Sequence, residues 1–164
     1  MSANPSGFQT CAVLDNGHLK CWGNNMWGQL GLGDTINRGV SPGQMGDALP
    51  AVSLGTGRTA VAVSSGRDYV CALLDDGSIR CWGGNSNGVL GMGDTAFRGL
   101  SASTMGDALP AVSLGTGRTA VALAVGSDHS CALLDNGSIK CWYVALPAYL
   151  HACMPSCLPA CMHA

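Results

Sequence analysis

The chain has 164 residues, with 24 Gly, 7 Pro, 9 Cys, 47% apolar residues, 11% charged residues and a formal charge of −2. That balance is too apolar and too weakly charged for a disordered chain, and the glycines lack the every-third-residue period of collagen. All ten acidic residues are Asp, Lys occurs only at Lys20 and Lys140, and the eight basic residues form no stripe. Exposed helices and direct nucleic-acid contact are therefore not expected.

The opening MSANPSGFQT reaches Cys11 without an apolar run. No secretory leader is visible, which favours a cytoplasmic or nuclear product. The first element is a hairpin over 8–23, and its register can be tested against its apolar face. A two-residue Asn16-Gly17 turn would place Cys11 opposite Trp22 and Lys20 on the face of Val13. A three-residue Asp15-Asn16-Gly17 loop closed by a left-handed Gly instead gathers Cys11, Val13, Leu19 and Cys21 on one face. Directly opposed cysteines on adjacent strands sit near disulfide distance, so Cys11 and Cys21 are a candidate bridge.

Residues 24–49 follow, long for a loop of a small domain and so either a packed connector or a place where partners bind. Within them Gly28, Gly31 and Gly33 can turn the chain tightly, and Leu30 can fill the space beside Trp22. Asp34 with Thr35 can accept from nearby backbone donors. Over 50–83, AVSLG, TAVAVSSG, YVCALLD and SIRCWG alternate with period two between Gly, Asp and Asn breakers, which predicts four short antiparallel strands. Residues 84–109 repeat 24–49, with Gly88, Leu90, Gly91 and Gly93 at the same offsets. The two copies differ mainly where Met26, Trp27, Ile36 and Asn37 face Ser86, Asn87, Ala96 and Phe97. Variable positions on a repeated frame mark Met26, Trp27, Ile36, Asn37 and Phe97 as a candidate interaction loop.

Residues 110–142 supply a second complete set of four predicted strands. Cys71 and Cys81, and Cys131 and Cys141, stand in the same opposed register as the first pair. The cysteines at 11, 71 and 131, and Trp22, Trp82 and Trp142, recur at an interval of roughly 60 residues, so the body 8–142 is tandem copies of one supersecondary unit. A half unit (8–23) and two full units (50–83 and 110–142) predict an all-β partial propeller of four-stranded blades, its ring incomplete. Residues 143–164 abandon the pattern, with Tyr143 where Gly is expected. Their four-residue rhythm of Cys and Pro is low-complexity, so no ordered structure is expected of it, and a short nucleotide repeat or wrong reading frame is the expected origin.

The segments CWGNNMWGQLGLGDT, CWGGNSNGVLGMGDT and VAVSSGRDYVCALLDDGSIRCWG resemble the repeat of the regulator of chromosome condensation family, over about 8–142. The resemblance implies a seven-bladed propeller serving as a binding platform, in a family that includes a nuclear exchange factor for the GTPase Ran, HECT-type ubiquitin ligases, a plant ultraviolet photoreceptor and bacterial inhibitor proteins. The expected function is a non-enzymatic protein-interaction module with an unidentified protein partner and with self-association through exposed blade faces. The alternatives are a fragment of a small-GTPase exchange factor or of a HECT-type ligase, and an extracellular disulfide-bridged structural repeat. No exchange residue maps onto this chain, and a HECT cysteine would lie outside it.

Other chemistries find little support. Cys153, Cys157 and Cys161 with His151 and His163 lack the rigid knuckle of a structural zinc site. No nucleophile sits in a recognisable elbow, and Gly31-Leu32-Gly33 neither follows a strand nor opens a helix, so no catalytic residue, cofactor or nucleotide site is expected. Asn136-Gly137-Ser138 fits a glycosylation sequon but falls in a hairpin turn that favours Asn-Gly for backbone reasons. Pro147, Pro155 and Pro159 interrupt the uncharged tail, so no membrane segment is expected.

Overall fold

A computed structural model describes residues 1–4 and 7–143; the tail segment 144–164, with its cysteines, histidines and the zinc site weighed for them, lies outside the described residues. The described chain is all-β, with three three-stranded antiparallel sheets following one another in sequence. The first holds β1 (Ser2–Ala3), β2 (Gln9–Val13) and β3 (Leu19–Gly23). The second holds β4 (Ala60–Ser65), β5 (Tyr69–Leu74) and β6 (Ile79–Gly83), and the third β7 (Ala120–Val125), β8 (His129–Leu134) and β9 (Ile139–Tyr143). The only helical pieces among the described residues are short 3₁₀ turns in the connectors.

The hairpin register follows from its turn. Gly17, Gly77 and Gly137 take φ of 76°, 76° and 79°, the left-handed conformation that closes a three-residue loop. Cys11 pairs with Cys21 and Val13 with Leu19, and the same register recurs as Cys71 with Cys81 and Cys131 with Cys141. Each opposed pair has Cα atoms 4.1 Å apart, with the sulfurs at bonding distance. Ala60 and Ala62 flank a register shift against β5, as Ala120 and Ala122 do against β8, so the bulge is part of the repeated unit.

The sheets have three strands where the alternation predicted four. The AVSLG segment alternates exposed and buried residues as a strand would but forms none, because its neighbour is engaged only at the two ends. Near one end of β3, the Val52 amide donates to the Leu19 carbonyl at 2.8 Å; at the other, Gly23 and Arg38 exchange backbone bonds of 2.8 and 3.1 Å. Residues 39–51 loop away between these points, so no continuous ladder forms. The second repeat does the same, with Val112 donating to Ile79 at 2.8 Å. The first sheet, expected to hold a hairpin alone, gains a short third strand, since Ser2 and Ala3 pair with Cys11 and Thr10.

The hydrophobic core lies between sheets. Cys11, Leu19, Cys21 and Leu30 of the first repeat meet Val70, Ala72, Leu74 and Trp82 of the second in one cluster. Cys71, Leu73, Ile79, Cys81 and Leu90 meet Ala132, Leu134 and Trp142 in the next. Alternation along each strand therefore sends one set of side chains towards the following sheet and the other towards the preceding one. A sheet covered on both sides is apolar throughout, and β5 is buried at all six positions.

Candidate interaction surface

The connector after each hairpin is held by one buried asparagine. Asn25, with no exposed surface, donates through Nδ2 to the Asp34 and Ile36 carbonyls at 2.8 and 3.2 Å, and its Oδ1 accepts from the Leu30 amide at 2.9 Å. Asn85 does the same work for Asp94, Ala96 and Leu90. A short polar side chain that both donates and accepts can close a loop whose backbone groups have no ladder to join. Asp34 also pairs with Arg38 at 2.7 Å, and Asp94 with Arg98 at 2.7 Å. The Arg98 guanidinium, with the Ala96 amide, holds the Asp94 carboxyl below its ordinary pKa.

Gly28, Gly31 and Gly33, and Gly88, Gly91 and Gly93, all take left-handed φ between 69° and 76°. At Gly31 the close approach adds to the conformational demand, because a Cβ there would lie 2.6 Å from Trp82 Nε1. Leu30 and Leu90 are fully buried. Leu30, however, shares its cluster with Trp82 of the following repeat, not with Trp22 of its own. Trp82 Nε1 donates to the Gln29 carbonyl at 3.1 Å, and Trp142 Nε1 to the Val89 carbonyl at 2.9 Å. The tryptophan closing each hairpin thus reaches back to the preceding connector. Trp22 makes no such bond among the described residues and is half-buried.

Two of the variable positions meet. Trp27, from the first connector, and Phe97, from the second, stand edge-to-face with ring centroids 5.5 Å apart and planes at 78°. The Trp27 amide is pinned by the buried Gln29 side chain at 2.8 Å. Both rings line a cleft of about 120 Å³ that continues over Asp68, Tyr69 and Val89 to Asp128. Arg67 spans its far side, 3.2 Å from Asp68 and 3.3 Å from Asp128 of the third repeat. One guanidinium against two carboxylates leaves that rim net negative beside an aromatic wall. Tyr69 forms the floor, its hydroxyl donating to the His129 carbonyl at 2.8 Å and lying 3.0 Å from Ser130 Oγ. Burial pushes its pKa up to about 12, only partly offset by Ser130.

The remaining residues of the candidate loop lie elsewhere. Met26, Ile36 and Asn37 border a second, shallower depression with Val40 and Gln44, and Met26 and Ile36 are 60% and 62% exposed. Asn37 is partly occupied in structure, its Oδ1 accepting from the Asn25 amide at 2.8 Å. No group of three or more His, Cys or Asp side chains is placed to hold a metal among the described residues, and no described helix is long and apolar enough to cross a membrane.

Family models for the regulator of chromosome condensation (RCC1) repeat match residues 16–73, 60–89 and 120–142. The chain belongs to this repeat family. It is 28% identical over 153 residues to the X-linked retinitis pigmentosa GTPase regulator of Canis lupus familiaris, a match covering 89% of this chain and 14% of that protein. Among solved structures it resembles human WBSCR16, with a TM-score of 0.59 at 19% identity over 82% of this chain and 31% of that one. Prp20p of Saccharomyces cerevisiae, studied with its binding to Gsp1p and histones, gives a TM-score of 0.58 at 21% identity over 84% of this chain and 30% of that one. The chain thus spans well under half the length of these proteins, and the likeness in structure shows the propeller fold.

The RCC1 repeat accounts for the architecture of the connectors but not for the Trp27 cleft, whose two rings sit where the copies differ. Sequence reading singled out Trp27 and Phe97 separately and missed their contact. It also passed over Asn25 and Asn85, although each stands three residues after the hairpin tryptophan in both complete connectors. Tyr69 was missed for the opposite reason, since Gln9 and His129 occupy its place in the other repeats and no recurrence marks it.

Proposed function

We propose that the chain is a non-enzymatic protein-interaction module that binds a protein segment in the Trp27–Phe97 cleft. The observation that carries this reading is the convergence of two non-repeated aromatics from different connectors, with Trp27 41% exposed, beside the Arg67, Asp68 and Asp128 rim. Aromatic anchors flanked by polar groups are the residue types that concentrate binding energy at interfaces. The net-negative rim beside an indole suits a segment that presents a basic side chain next to an apolar one. Selection of a random peptide library displayed on phage tests this. Enriched peptides are expected to carry Lys or Arg and to bind Trp27→Ala or Phe97→Ala about tenfold or more weakly than the parent chain. Failure to enrich, or equal binding to both variants, would overturn the proposal.

A second reading, part of a small-GTPase regulator, draws on the similarity to the canine protein across 89% of this chain. It predicts faster release of labelled GDP from a Ran-type GTPase on adding the chain. An unchanged release rate would exclude exchange activity for this chain.

A further inference from the structure

The planes of Trp27 and Phe97 stand at 78° with their centroids 5.5 Å apart, so the two rings make a corner and not a flat wall. Tyr69 lies at the floor of the same cleft, and Asp68 and Asp128 stand at its rim. Trp27 and Asp68 flank Gly84, where a Cβ would lie 3.7 Å from Trp27 Cβ and 3.4 Å from Asp68 Cβ. Arg67 reaches one oxygen of each carboxylate, Asp68 Oδ2 at 3.2 Å and Asp128 Oδ1 at 3.3 Å, from a side chain that is 51% exposed. Ion pairs so exposed are weakly held. One guanidinium cannot balance two carboxylates, so a negative charge is left over beside the aromatic corner.

We infer that this corner is a cage for a methylated ammonium head, the trimethylated side chain of a lysine in the bound segment; the inference rests on the reading of the cleft as a site for a protein segment. Aromatic faces attract a cation through their quadrupole, and quaternary ammonium groups are the ligands that aromatic cages recognise. The shape of the corner selects among basic groups. A planar guanidinium stacks on one ring face at a time, whereas a rounded trimethylammonium touches two rings set at 78° together. A bare lysine ammonium carries three donors and a tight hydration shell, and ring walls offer no acceptor to replace the lost water. Methylation removes those donors and keeps the charge. The rim carboxylates then attract the head through space, without a hydrogen bond. The corner belongs to this junction alone because the repeat does not supply its rings: Asn87 stands at the place of Trp27, and Asn37 at the place of Phe97.

Titration of the full 164-residue chain with three capped peptides, followed through the indole NMR signals, tests this. The peptides are Ala-Lys-Leu-Ala, the same sequence with the lysine trimethylated, and its arginine counterpart. The trimethylated peptide is expected to bind about tenfold or more tightly than the other two. Trp27→Asn and Phe97→Asn each install the residue that the other connector carries at that place, so the fold tolerates them, and each should abolish the preference. Equal binding of the unmodified or arginine peptide would overturn the cage and leave the protein-segment reading standing, since library enrichment that depends on Trp27 and Phe97 decides that reading separately. No binding of the trimethylated peptide, or a preference that survives both substitutions, would also overturn it. Phosphocholine presents the same quaternary head on an anionic phosphate that the net-negative rim repels. If it binds as tightly as the trimethylated peptide, the cleft takes a lipid headgroup and the proposal falls.

Discussion

The indole nitrogen of Trp82 donates to the main-chain carbonyl of Gln29 across a junction between two repeats, and Trp142 makes the same bond to Val89. Both partners lie 53 positions earlier in the chain. The bond therefore fastens sheet to sheet while the ring, in Trp82 fully buried, fills the space between them. Trp82→Ala is expected to cost about 3 to 5 kcal/mol, from lost burial and the cavity left behind. Trp82→Phe, which keeps an aromatic ring but strands the Gln29 carbonyl, should cost about 1 to 3 kcal/mol for the orphaned acceptor, with a further packing loss. Trp22→Ala, without the bond and half-exposed, should cost clearly less than Trp82→Ala. Urea denaturation of the three variants checks the order, and equal losses at Trp22 and Trp82 would contradict it.

That relationship also shows what a repeat reveals and what it conceals. Equivalence at fixed offset makes Trp22, Trp82 and Trp142 visible as one position, and the Asp-Asn-Gly turn fixes the hairpin register because a slip would expose the apolar face. Neither consideration says which copy a side chain touches. Leu30 was therefore expected beside the tryptophan of its own repeat but packs with that of the next. Strand count failed for a related reason: AVSLG has the alternation of a strand, and its buried Val52 and Leu54 obey it, but the neighbouring edge offers only a single backbone bond there. Periodicity reports which side chains are buried, whereas a ladder depends on an uninterrupted neighbour.

Asn25 and Asn85 carry a second prediction. Each satisfies backbone groups on both sides of its connector from a fully buried position. Asn85→Ala leaves the Leu90 amide and the Asp94 and Ala96 carbonyls without their shared partner, and is expected to destabilise by about 2 to 3 kcal/mol. Asn85→Asp keeps the acceptor for Leu90 but sets a carboxylate against two carbonyls and should be at least as damaging. Thermal unfolding of both variants measures this; a loss below that of an ordinary surface substitution would show that water replaces the side chain.

The three cysteine pairs are expected to be bridged in oxidised protein, and to differ in reactivity. Cys11, Cys21, Cys71 and Cys81 have no exposed surface, whereas Cys141 is exposed and Cys131 only half-buried. A mild reductant acting on folded protein should open the Cys131–Cys141 pair first, because the attacking thiolate needs access to a sulfur. The other two should resist until the sheets separate. Alkylation followed by peptide mapping gives the order directly. Replacing the buried Cys71 and Cys81 by Ala should then cost about 2 to 4 kcal/mol, the usual contribution of a native bridge, and uniform labelling of all six in the folded state would rule out this protection.

Tyr69 makes alkaline stability the most specific test of the second junction. Its hydroxyl bonds to the third repeat through the His129 carbonyl and Ser130, and burial raises its pKa to about 12 from an ordinary value of 10.0. A folded pKa above the unfolded one means that the unfolded state releases its proton first. The contribution of Tyr69 is thus complete below pH 10, falls as the pH rises from about 10 to about 12, and is gone above that range. Tyr69→Phe removes both the hydroxyl and its titration. The variant should be less stable than the parent at neutral pH by about 1 to 2 kcal/mol, the value of a buried hydroxyl bond, and the gap should narrow through the alkaline range. Denaturation curves at several pH values, with tyrosinate absorbance followed in parallel, distinguish this from loss of packing alone, for which the gap would not change with pH.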